Sequence, residues 1–374
     1  MQVGIDASRA FLKRRTGIEE YAYQVIRHLR DVVVETDTVV LYVRKKMSWR
    51  GGWLRLALPH IDFDLPRNWQ VRGIWAPRFW TQIGLSLEML FRTPNILFVP
   101  AHTVPVIHPR NTIVTIHGLE YEFCKEAYSF WERAYMHHSI KFSCRVASTV
   151  VCVSENTKKD VMELYGVPQE KIKVMYEGYD DNFTSQISHL KSNQKTQNKP
   201  YVLFIGRLEE RKNIVRIIEA FEILKEKYRI PHTLVLVGKP GYGYEKIRIR
   251  IQDSGFRNEI QELGYITQEK KRELLENADV FLFPTLYEGF GLPVLEAQSV
   301  GVPVVTSRVS SLPEVAGEGA VYVDPVRVES IANGIHKVIS DKILRDGIIE
   351  KGLINVERFS WQKCAEKIGE ILRK

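Results

Sequence analysis

Short apolar runs alternate with helical patterns along this sequence, and that alternation limits the fold more than any other feature. In the N-terminal half, runs rich in Val and Ile predict strands at 3–7, 39–43, 96–99, 113–117, 149–154 and 173–176. Amphipathic segments between them predict helices at 18–30, 80–91, 130–145 and 157–165. Near-continuous apolar strands separated by helices indicate a parallel sheet that is covered on both faces.

The alternation restarts after a polar, lysine-rich run at 185–200. It predicts strands at 201–205, 233–237, 260–263, 280–283, 303–306 and 321–323. It predicts helices at 214–228, 245–254, 268–277, 293–299, 328–340, 342–358 and 361–373. The sequence therefore predicts an α/β protein with two Rossmann-like, doubly wound domains that face each other across a cleft.

The predicted boundaries are a first domain at 1–180, a linker at 181–199 and a second domain at 200–359. We expect the final helix, 360–374, to pack back on the first domain. Ligands of such sheets bind at the carboxyl ends of the strands, so the loops that hold Gly17, His117, Arg207 and Glu288 are the candidate sites.

Composition narrows the class of partner and the compartment. At 374 residues the chain exceeds one ordinary core, and its net charge of +8 suggests an anionic partner: nucleic acid, nucleotide phosphates or an acidic membrane surface. Its four cysteines form no CxxC pair, which is typical of reduced thiols in a cytoplasmic protein. A strand pattern at the first residues predicts no secretory signal, and no apolar run is long enough to span a bilayer, so any membrane contact is expected to be peripheral.

The stretch TLYEGFGLPVLEAQSVG at 285–301 is the most suggestive in the chain. Glu288 opens a glycine-rich turn, Pro293 begins a helix, and Glu296 follows Glu288 by eight residues. Leu292 cannot cap that helix, so its first amides need another partner, and a ligand is one candidate. The alternative is that both glutamates only complement the helix dipole.

Two candidate residues lie in the first domain. Gly17 precedes a helix, where a ligand can approach the backbone closely, although one glycine is no dinucleotide fingerprint. The alternative there is an ordinary helix start that Thr16 caps. His117 ends a strand and is a candidate hydrogen-bonding or acid–base group, or else a structural histidine.

Charged residues give two further hypotheses. Arg207 and Lys212 lie five residues apart across a turn and suit a diphosphate, unless the loop is merely solvated. Asp62 and Asp64 match a DxD metal pattern, but no strand precedes them and we attribute the match to chance. The remaining acids and histidines have no metal-ligand spacing, so no metal site is predicted.

Aromatic and basic residues gather at 45–53 and 78–80, with an apolar run at 83–90. One interpretation is a surface that rests on acidic lipids. The other is core and interdomain packing, which we favour.

Taken as a set, several motifs resemble those of family 4 glycosyltransferases, which have the GT-B fold. They are EGFGLPVLEA with its E-x7-E spacing, GRLEERKN, TIHG, TGIEEYAY and VSENTKKDVMELYGVPQEKIKVMYEGYD. The resemblance covers nearly the whole chain. The segments IDAS and FVPAH are most similar to the bacterial mannosyltransferase-like branch.

The resemblance implies a retaining, metal-independent transfer of a hexose from a nucleotide-diphospho-sugar, with no cofactor. His117, Glu288, Arg207 and Lys212 would form the catalytic set, with His117 near the anomeric carbon. The implied donor-binding residues are Gly17, Arg207, Lys212, Tyr265, Glu288, Gly289, Phe290, Gly291, Leu292 and Glu296. Within this set Glu296 would hold the ribose, and the backbone around Tyr265 would border the base.

Two positions depart from the family pattern. Gly118 follows His117 where the family commonly has aspartate, and this leaves the orientation of His117 open. Glu177-Gly178 stands where the family often has Asn-Gly, and this bears on the cleft or the acceptor side.

We therefore expect a cytoplasmic hexosyltransferase, with or without peripheral membrane contact, that extends a polysaccharide of the O-antigen type. GDP-mannose is the preferred donor and a UDP-sugar the second choice; the acceptor is a glycan or a lipid-linked glycan. The alternatives are a sugar-nucleotide epimerase of the same architecture, a non-catalytic sugar-nucleotide-binding protein and a nucleic-acid-binding protein. No recognition helix or aromatic-basic sheet motif supports the last, so no nucleic acid partner is expected.

Overall fold

The computed structural model describes residues 1–50, 53–76, 78–179 and 199–373 of the chain. Backbone contacts divide the chain into two units. Unit 1 comprises Met1–Leu119, Trp131–Gly178 and Ser360–Lys374, and unit 2 comprises Glu120–Phe130 and Tyr179–Phe359. The predicted linker lies outside the described residues except for Lys199.

The strands and helices follow the alternation of the sequence. The strands are β1 (Gln2–Asp6), β2 (Thr38–Arg44), β3 (Lys46–Arg50), β4 (Trp53–Ala57), β5 (Trp69–Ile74), β6 (Ile96–Val99), β7 (Asn111–Ile116), β8 (Thr149–Cys152), β9 (Ile172–Val174), β10 (Tyr201–Ile205), β11 (Thr233–Val237), β12 (Ile260–Gly264), β13 (Val280–Phe283), β14 (Val304–Ser307) and β15 (Ala320–Val323). The α-helices are α1 (Gly17–Leu29), α2 (Ser86–Phe91), α3 (Glu120–Phe123), α4 (Phe130–Val146), α5 (Glu155–Tyr165), α6 (Ile214–Glu226), α7 (Tyr244–Asp253), α8 (Gln268–Asn277), α9 (Leu292–Ser299), α10 (Leu312–Ala316), α11 (Val328–Ser340), α12 (Lys342–Val356) and α13 (Trp361–Leu372).

Each unit is built on a parallel sheet. The order in unit 1 is β5-β2-β1-β6-β7-β8-β9, and the order in unit 2 is β12-β11-β10-β13-β14-β15. In unit 1 the chain goes from β1 outward to β2 and β5, and then returns to place β6 on the other side of β1. In unit 2 it goes from β10 to β11 and β12, and then returns to place β13 on the other side of β10. The strand order therefore reverses beside β1 and beside β10. The carboxyl ends of the strands next to these reversals are where doubly wound sheets bind ligands.

The sequence predicts most of these elements within two or three residues of their bounds. It misses β5, an edge strand whose run WQVRGI contains arginine and glycine and reads as polar. It also misses the antiparallel pair β3–β4 and the short helices α3 and α10. The predicted helix at 80–91 is only half right, because Trp80–Leu85 is a π-helix that continues into α2.

The final helix and the segment after β7 each belong to a different unit from their neighbours in the sequence. Helix α13 packs on α1 within unit 1, where the rings of Trp361 and Tyr21 lie 5.9 Å apart. The segment Glu120–Phe130 belongs by its contacts to unit 2, where Phe123 stacks on Tyr287 at 4.8 Å between ring centroids.

The core of unit 2 depends on close contact between helices and sheet. Gly334 in α11 faces β15, and a Cβ at this position would lie 2.4 Å from Val323 Cγ1. Gly347 in α12 is also helical, but a Cβ there would meet nothing within 4 Å. The two glycines therefore differ in packing and share the same helical backbone.

This contrast gives a test of the packing. We expect Gly334→Ala to destabilise the protein by about 1–3 kcal/mol, because a well-packed site has no room for a methyl group. Gly347→Ala is the matched control and should be neutral or stabilising by about 0.5–1 kcal/mol, because alanine favours a helix. Urea unfolding measures both, and equal stability of the two variants would contradict the described contact of α11 with β15.

Candidate functional site

The turn between β13 and α9 holds Glu288 and is fixed from behind by two serines. Ser310 Oγ accepts a hydrogen bond from the amide of Glu288 at 2.9 Å, and Ser311 Oγ donates to the carbonyl oxygens of Glu288 and Phe290 at 2.9 and 2.6 Å. Gly291 has φ 124°, which favours glycine strongly, and a Cβ there would lie 3.0 Å from Leu312 Cδ2. The turn is therefore a rigid support for Glu288.

Helix α9 begins directly after this turn without a side-chain cap. Its N-cap is Gly291, which has no side chain to offer, and Pro293 lies in the first turn. Leu292 is the first helical residue, one residue before the predicted start at Pro293, so the cap position that the sequence analysis gave to Leu292 belongs to Gly291. Pro293 has no N–H and the amide of Val294 donates to the carbonyl of Gly291 at 2.9 Å, so the start of the helix presents the amide of Leu292 and the positive end of the dipole to a ligand.

The loop after β10 brings two cations to Glu288. Lys212 Nζ forms a short ion pair with Glu288 Oε1, and Arg211 Nη1 lies 3.4 Å from the same oxygen. Arg211 also donates to the carbonyl of Tyr287 at 2.8 Å and to Glu209 at 2.8 Å. The loop is anchored by Asn213, whose φ is 65° and whose side chain donates to the carbonyl of Pro284 at 3.0 Å.

Burial and mutual attraction set the charges of this cluster. Burial acts to raise the pKa of Glu288, but Lys212 and Arg211 outweigh it, and the pKa of Glu288 lies below its ordinary value. Burial, followed by repulsion from Arg211, lowers the pKa of Lys212. Nε of Arg211 is buried and has no hydrogen-bond partner among the described residues, so one N–H donor of the cluster is unused.

The other predicted residues of unit 2 surround this cluster less closely. Arg207 is 63% exposed, its nearest acid is Glu209 at 3.7 Å, and it does not pair with Glu288. Glu296, in α9, forms a short ion pair with Lys271 of α8. Tyr265 is exposed after β12, with Lys239 Nζ 4.7 Å from its ring centroid.

In unit 1, the start of α1 is an ordinary capped helix start. Glu19 Oε2 accepts hydrogen bonds from the amide of Thr16 at 3.1 Å and from its hydroxyl, which is a capping-box arrangement. A Cβ at Gly17 would meet nothing within 4 Å. The chain itself therefore does not require glycine at this position, and the space above it is open to a ligand.

His117 follows β7 and both of its ring nitrogens face acceptors. Nδ1 lies 3.2 Å from Glu177 Oε1, and Nε2 lies 2.9 Å from the carbonyl oxygen of Pro100. With Glu177 ionised, both contacts are hydrogen bonds only when the ring has two protons, because carboxylate and carbonyl oxygens accept. The ring edge packs against Tyr21 of α1 at 4.6 Å between centroids.

The two departures from the family pattern thus meet at one histidine. Glu177, which replaces the more usual asparagine, supplies the acid that holds His117. Gly118 adopts φ 151°, in the range that favours glycine. Next to Glu177, Gly178 lies against α13 so closely that a Cβ would approach the amide nitrogen of Trp361 to 2.1 Å.

His102 lies beside His117 and is a further candidate residue. Nδ1 of His102 is buried and has no hydrogen-bond partner in the described part of the chain, and the two imidazole centroids are 5.3 Å apart. Burial, and then the nearby His117 and Arg9, lowers the pKa of His102 well below 6.5. The ring is therefore neutral near pH 7 and keeps an unused nitrogen.

Sequence reasoning missed Arg211, Lys271 and the serine pair after β14, and it singled out Glu177 without its contact to His117. Arg211 lies inside the quoted motif GRLEERKN, but the spacing could not show which of its cations is buried. Within the described ranges, no group of three or more His, Cys, Asp or Glu, Asp62 and Asp64 included, could hold a metal ion.

Two family descriptions match the sequence and together cover most of it. Residues 15–183 match Glycosyltransferase Family 4, and residues 185–354 match Glycosyl transferases group 1. The O-antigen chain mannosyltransferase B of Escherichia coli is 32% identical over 297 residues, which is 78% of this chain and 74% of that protein. The O-antigen chain mannosyltransferase RfbU of Salmonella typhimurium is 23% identical over 328 residues, 87% of this chain and 88% of that protein.

Solved structures agree in fold at low identity. HepE from Anabaena, in complex with UDP and glucose, aligns over 100% of this chain and 99% of its own with a TM-score of 0.73 and 19% identity. WaaG, a glycosyltransferase involved in lipopolysaccharide biosynthesis, aligns over 99% of each chain with a TM-score of 0.74 and 16% identity. These alignments confirm the predicted α/β class with two parallel-sheet domains.

The ion cluster around Glu288 gives a pH prediction. Because the folded pKa of Glu288 lies below its ordinary value of 4.5, this carboxylate stabilises the fold above about pH 4.5, and the contribution is lost as the pH falls through the folded value. We expect Glu288→Gln to destabilise the protein by about 3 kcal/mol at pH 7, because two buried cations lose their anion. The difference from the unsubstituted protein should narrow between pH 5 and pH 3.

Urea unfolding at a series of pH values measures this difference. Glu226→Gln is the matched control, since Glu226 is an exposed acid of unit 2 with no ion pair among the described residues. A stability gap that stays constant down to pH 3 would contradict the described pairing of Glu288.

Proposed function

This chain belongs to the glycosyltransferases of family 4 and group 1, with the GT-B fold, and we propose that it transfers a hexose from a nucleotide-diphospho-sugar to a glycan or lipid-linked acceptor. The transfer retains the configuration of the sugar and requires neither metal nor cofactor. The cluster of Lys212, Arg211 and Glu288 at the start of α9 is the observation that carries the proposal.

The cluster suits the chemical demand of this reaction. A nucleoside diphosphate leaves with developing negative charge, and fixed cations stabilise that charge without a metal. Lys212 is nearly buried, Arg211 has an unused N–H, and the uncapped helix adds its dipole, so a diphosphate has three partners here. Arg207 is exposed and free to close on the same phosphates from the loop surface.

The two glutamates have different tasks in this proposal. Glu288 holds the cations in place, and with the amides of Gly289 to Leu292 it contacts the donor sugar or its phosphate. Glu296 accepts hydrogen bonds from the ribose hydroxyls and exchanges its contact with Lys271 when the nucleotide binds. The backbone around Tyr265 borders the base.

His117 acts from unit 1 as a positioned group near the anomeric carbon. Because Glu177 and the carbonyl of Pro100 occupy both ring nitrogens, His117 contributes a fixed orientation rather than a free base. The open space above Gly17 is the proposed contact with the donor phosphate on this side. Glu177 is a positioning residue, since it acts through His117.

GDP-mannose is the preferred donor and a UDP-hexose the second choice. Similarity to two O-antigen chain mannosyltransferases supports mannose and a role in making a polysaccharide of that type. The UDP bound in HepE supports the second choice. A cytoplasmic location is supported by the four cysteines, which are all free thiols.

Nucleotide binding tests the donor site directly. We expect Lys212→Ala and Glu296→Ala each to weaken binding of GDP or UDP by tenfold or more, which is about 1.4 kcal/mol or more of binding free energy. Lys212→Ala removes a buried charge, and Glu296→Ala removes the contact with the ribose. Isothermal titration in EDTA measures the affinities, since the proposed site needs no metal. Lys337→Ala, an exposed lysine on α11, is the matched control and should bind as the unsubstituted protein does.

Product analysis completes this test. Incubation with GDP-mannose or UDP-glucose and an acceptor glycan should give a longer glycan with the anomeric configuration of the donor, as NMR shows. Conversion of the donor to an epimer without an acceptor would replace the transferase proposal by an epimerase.

In the binding experiment, unchanged affinity for GDP and for UDP in both Lys212→Ala and Glu296→Ala would contradict the site assignment.

A surface on unit 1 supports a peripheral membrane contact. Leu87 and three apolar side chains that lie three or four residues from it in the π-helix and α2 form an exposed stripe; the three are Ile83, Leu90 and Phe91. The sequence analysis favoured packing for this region. Trp80 and Leu85 are buried as that interpretation expects, but the side chains of the stripe are exposed, so it is wrong for them. Arg78 and Arg92 flank the stripe, which suits acidic lipids.

Among the helices that the structure describes, none combines the length and apolar character needed to cross a bilayer. We propose that the stripe lies on the surface of a membrane that contains acidic lipids. The aromatic and apolar side chains enter the interface, and the flanking arginines contact the lipid phosphates.

Vesicle binding tests this contact. We expect the double variant Leu87→Glu with Phe91→Glu to lose at least tenfold in affinity for vesicles of phosphatidylglycerol and phosphatidylcholine. Two apolar contacts are replaced by carboxylates, and repulsion from the acidic lipids costs about 1 kcal/mol for each charge. Cosedimentation measures the bound fraction. Ile354→Glu, an exposed apolar residue of unit 2, is the control. Equal binding of all three proteins would contradict the membrane contact.

A further inference from the structure

A large cavity opens in unit 1 where β1 and β2 end. Its volume is about 690 Å³, within the range of small-molecule sites, and its lining comes from the segments after β1 and β2, the π-helix and α4. Four cations line it: Arg9, Arg44, Lys45 and Lys46. None of the described residues that line it is acidic.

Aromatic side chains form much of the remaining wall. Trp75, Phe79 and Tyr135 are each more than half exposed at this wall, and Trp80 is buried behind them with its indole N–H bonded to the carbonyl of Ile74 at 3.2 Å. Exposed aromatic faces next to a polar cavity are the surfaces on which the C–H faces of sugar rings stack. The cavity therefore offers stacking surfaces beside four cations, of which Arg9 is paired with Glu19 at 3.1 Å.

Polar groups in the cavity lack partners. Gln82 lines the cavity, and its Oε1 is buried with no hydrogen-bond partner among the described residues. Leaving a buried acceptor unpaired costs about 1–3 kcal/mol, and a hydroxyl donor from a ligand removes that cost. Lys45 and Lys46 form no ion pair within the described ranges, so their charges are available to an anion.

The backbone of this wall is also unusual. Phe79 has φ 52°, in the left-handed region that bulky residues avoid, and the helix that follows it, Trp80–Leu85, is a π-helix. Both features are uncommon and both concentrate at functional sites. Both features lie in the segment whose Phe79 and Gln82 line the cavity.

We propose that this cavity binds the acceptor and that the acceptor is a carbohydrate with an anionic group. The inference rests on the proposed transferase function and specifies its acceptor. The sugar ring stacks on Trp75, Phe79 or Tyr135, one of its hydroxyls donates to Gln82 Oε1, and the anion contacts Lys45 and Lys46. The anion is a phosphate that links the glycan to a carrier or the carboxylate of an acidic sugar.

Saturation-transfer NMR on the full chain tests this inference with three probes: mannose 1-phosphate, glucuronic acid and neutral methyl α-mannoside. We expect at least one anionic probe to bind tenfold or more tightly than methyl mannoside. Tighter binding of mannose 1-phosphate assigns a phosphate as the anion, and tighter binding of glucuronic acid assigns a carboxylate. The anionic preference should disappear in the double variant Lys45→Ala with Lys46→Ala.

Gln82→Leu separates a binding role from a structural one. It should weaken all three probes about fivefold while leaving thermal stability equal or higher, because it removes an unpaired buried acceptor. Lys173→Ala is the control for charge, since Lys173 is an exposed lysine on β9 at the opposite edge of the same sheet. It should leave all affinities unchanged.

Lys212→Ala distinguishes this site from the donor site. Binding that survives in Lys212→Ala and is lost in the cavity variants supports the cavity, even if the donor assignment fails. Binding that is lost in Lys212→Ala and kept in the cavity variants overturns the inference. Equal binding of neutral and anionic probes, or no binding of any probe, also overturns it.

Discussion

The ion cluster of Arg211, Lys212 and Glu288 is the interaction on which the candidate site of unit 2 depends. It joins the loop after β10 to the turn after β13, the two strands at which the order of the sheet reverses. A buried ion pair stabilises a fold little, because desolvation offsets much of the attraction. Its value here lies in placing two cations at a helix start, where the proposed diphosphate leaving group would need them.

The fold was predictable to the extent that it depends on apolar pattern. Runs such as VLFI and VFLF are continuous because both faces of a parallel strand are buried, and their strands have the predicted bounds to within one residue. β5 was missed because an edge strand is buried on fewer sides and tolerates arginine and glycine. The π-helix was missed because its apolar spacing resembles that of an ordinary helix.

The candidate site was predictable by motif and not by geometry. The spacing of Glu288 and Glu296 and the basic loop identified the region, since these features are local in sequence. Whether Arg207 or Arg211 is the buried cation depends on which side chain turns toward Glu288, which follows Arg211 by 77 residues. No local sequence pattern indicates such a contact. The contact of Glu177 with His117 and the unpaired Gln82 are also long-range features that only coordinates show.

The return of α13 to unit 1 has a consequence for synthesis. Unit 2 ends at Phe359, so all of its residues have left the ribosome before α13 has. Unit 1 begins at the first residue, yet its helix α1 cannot pack against α13, the helix that contains Trp361, until residues 361–372 emerge. The domain that is translated first is therefore the one completed last, and during elongation the apolar face of α1 is a natural contact for a chaperone.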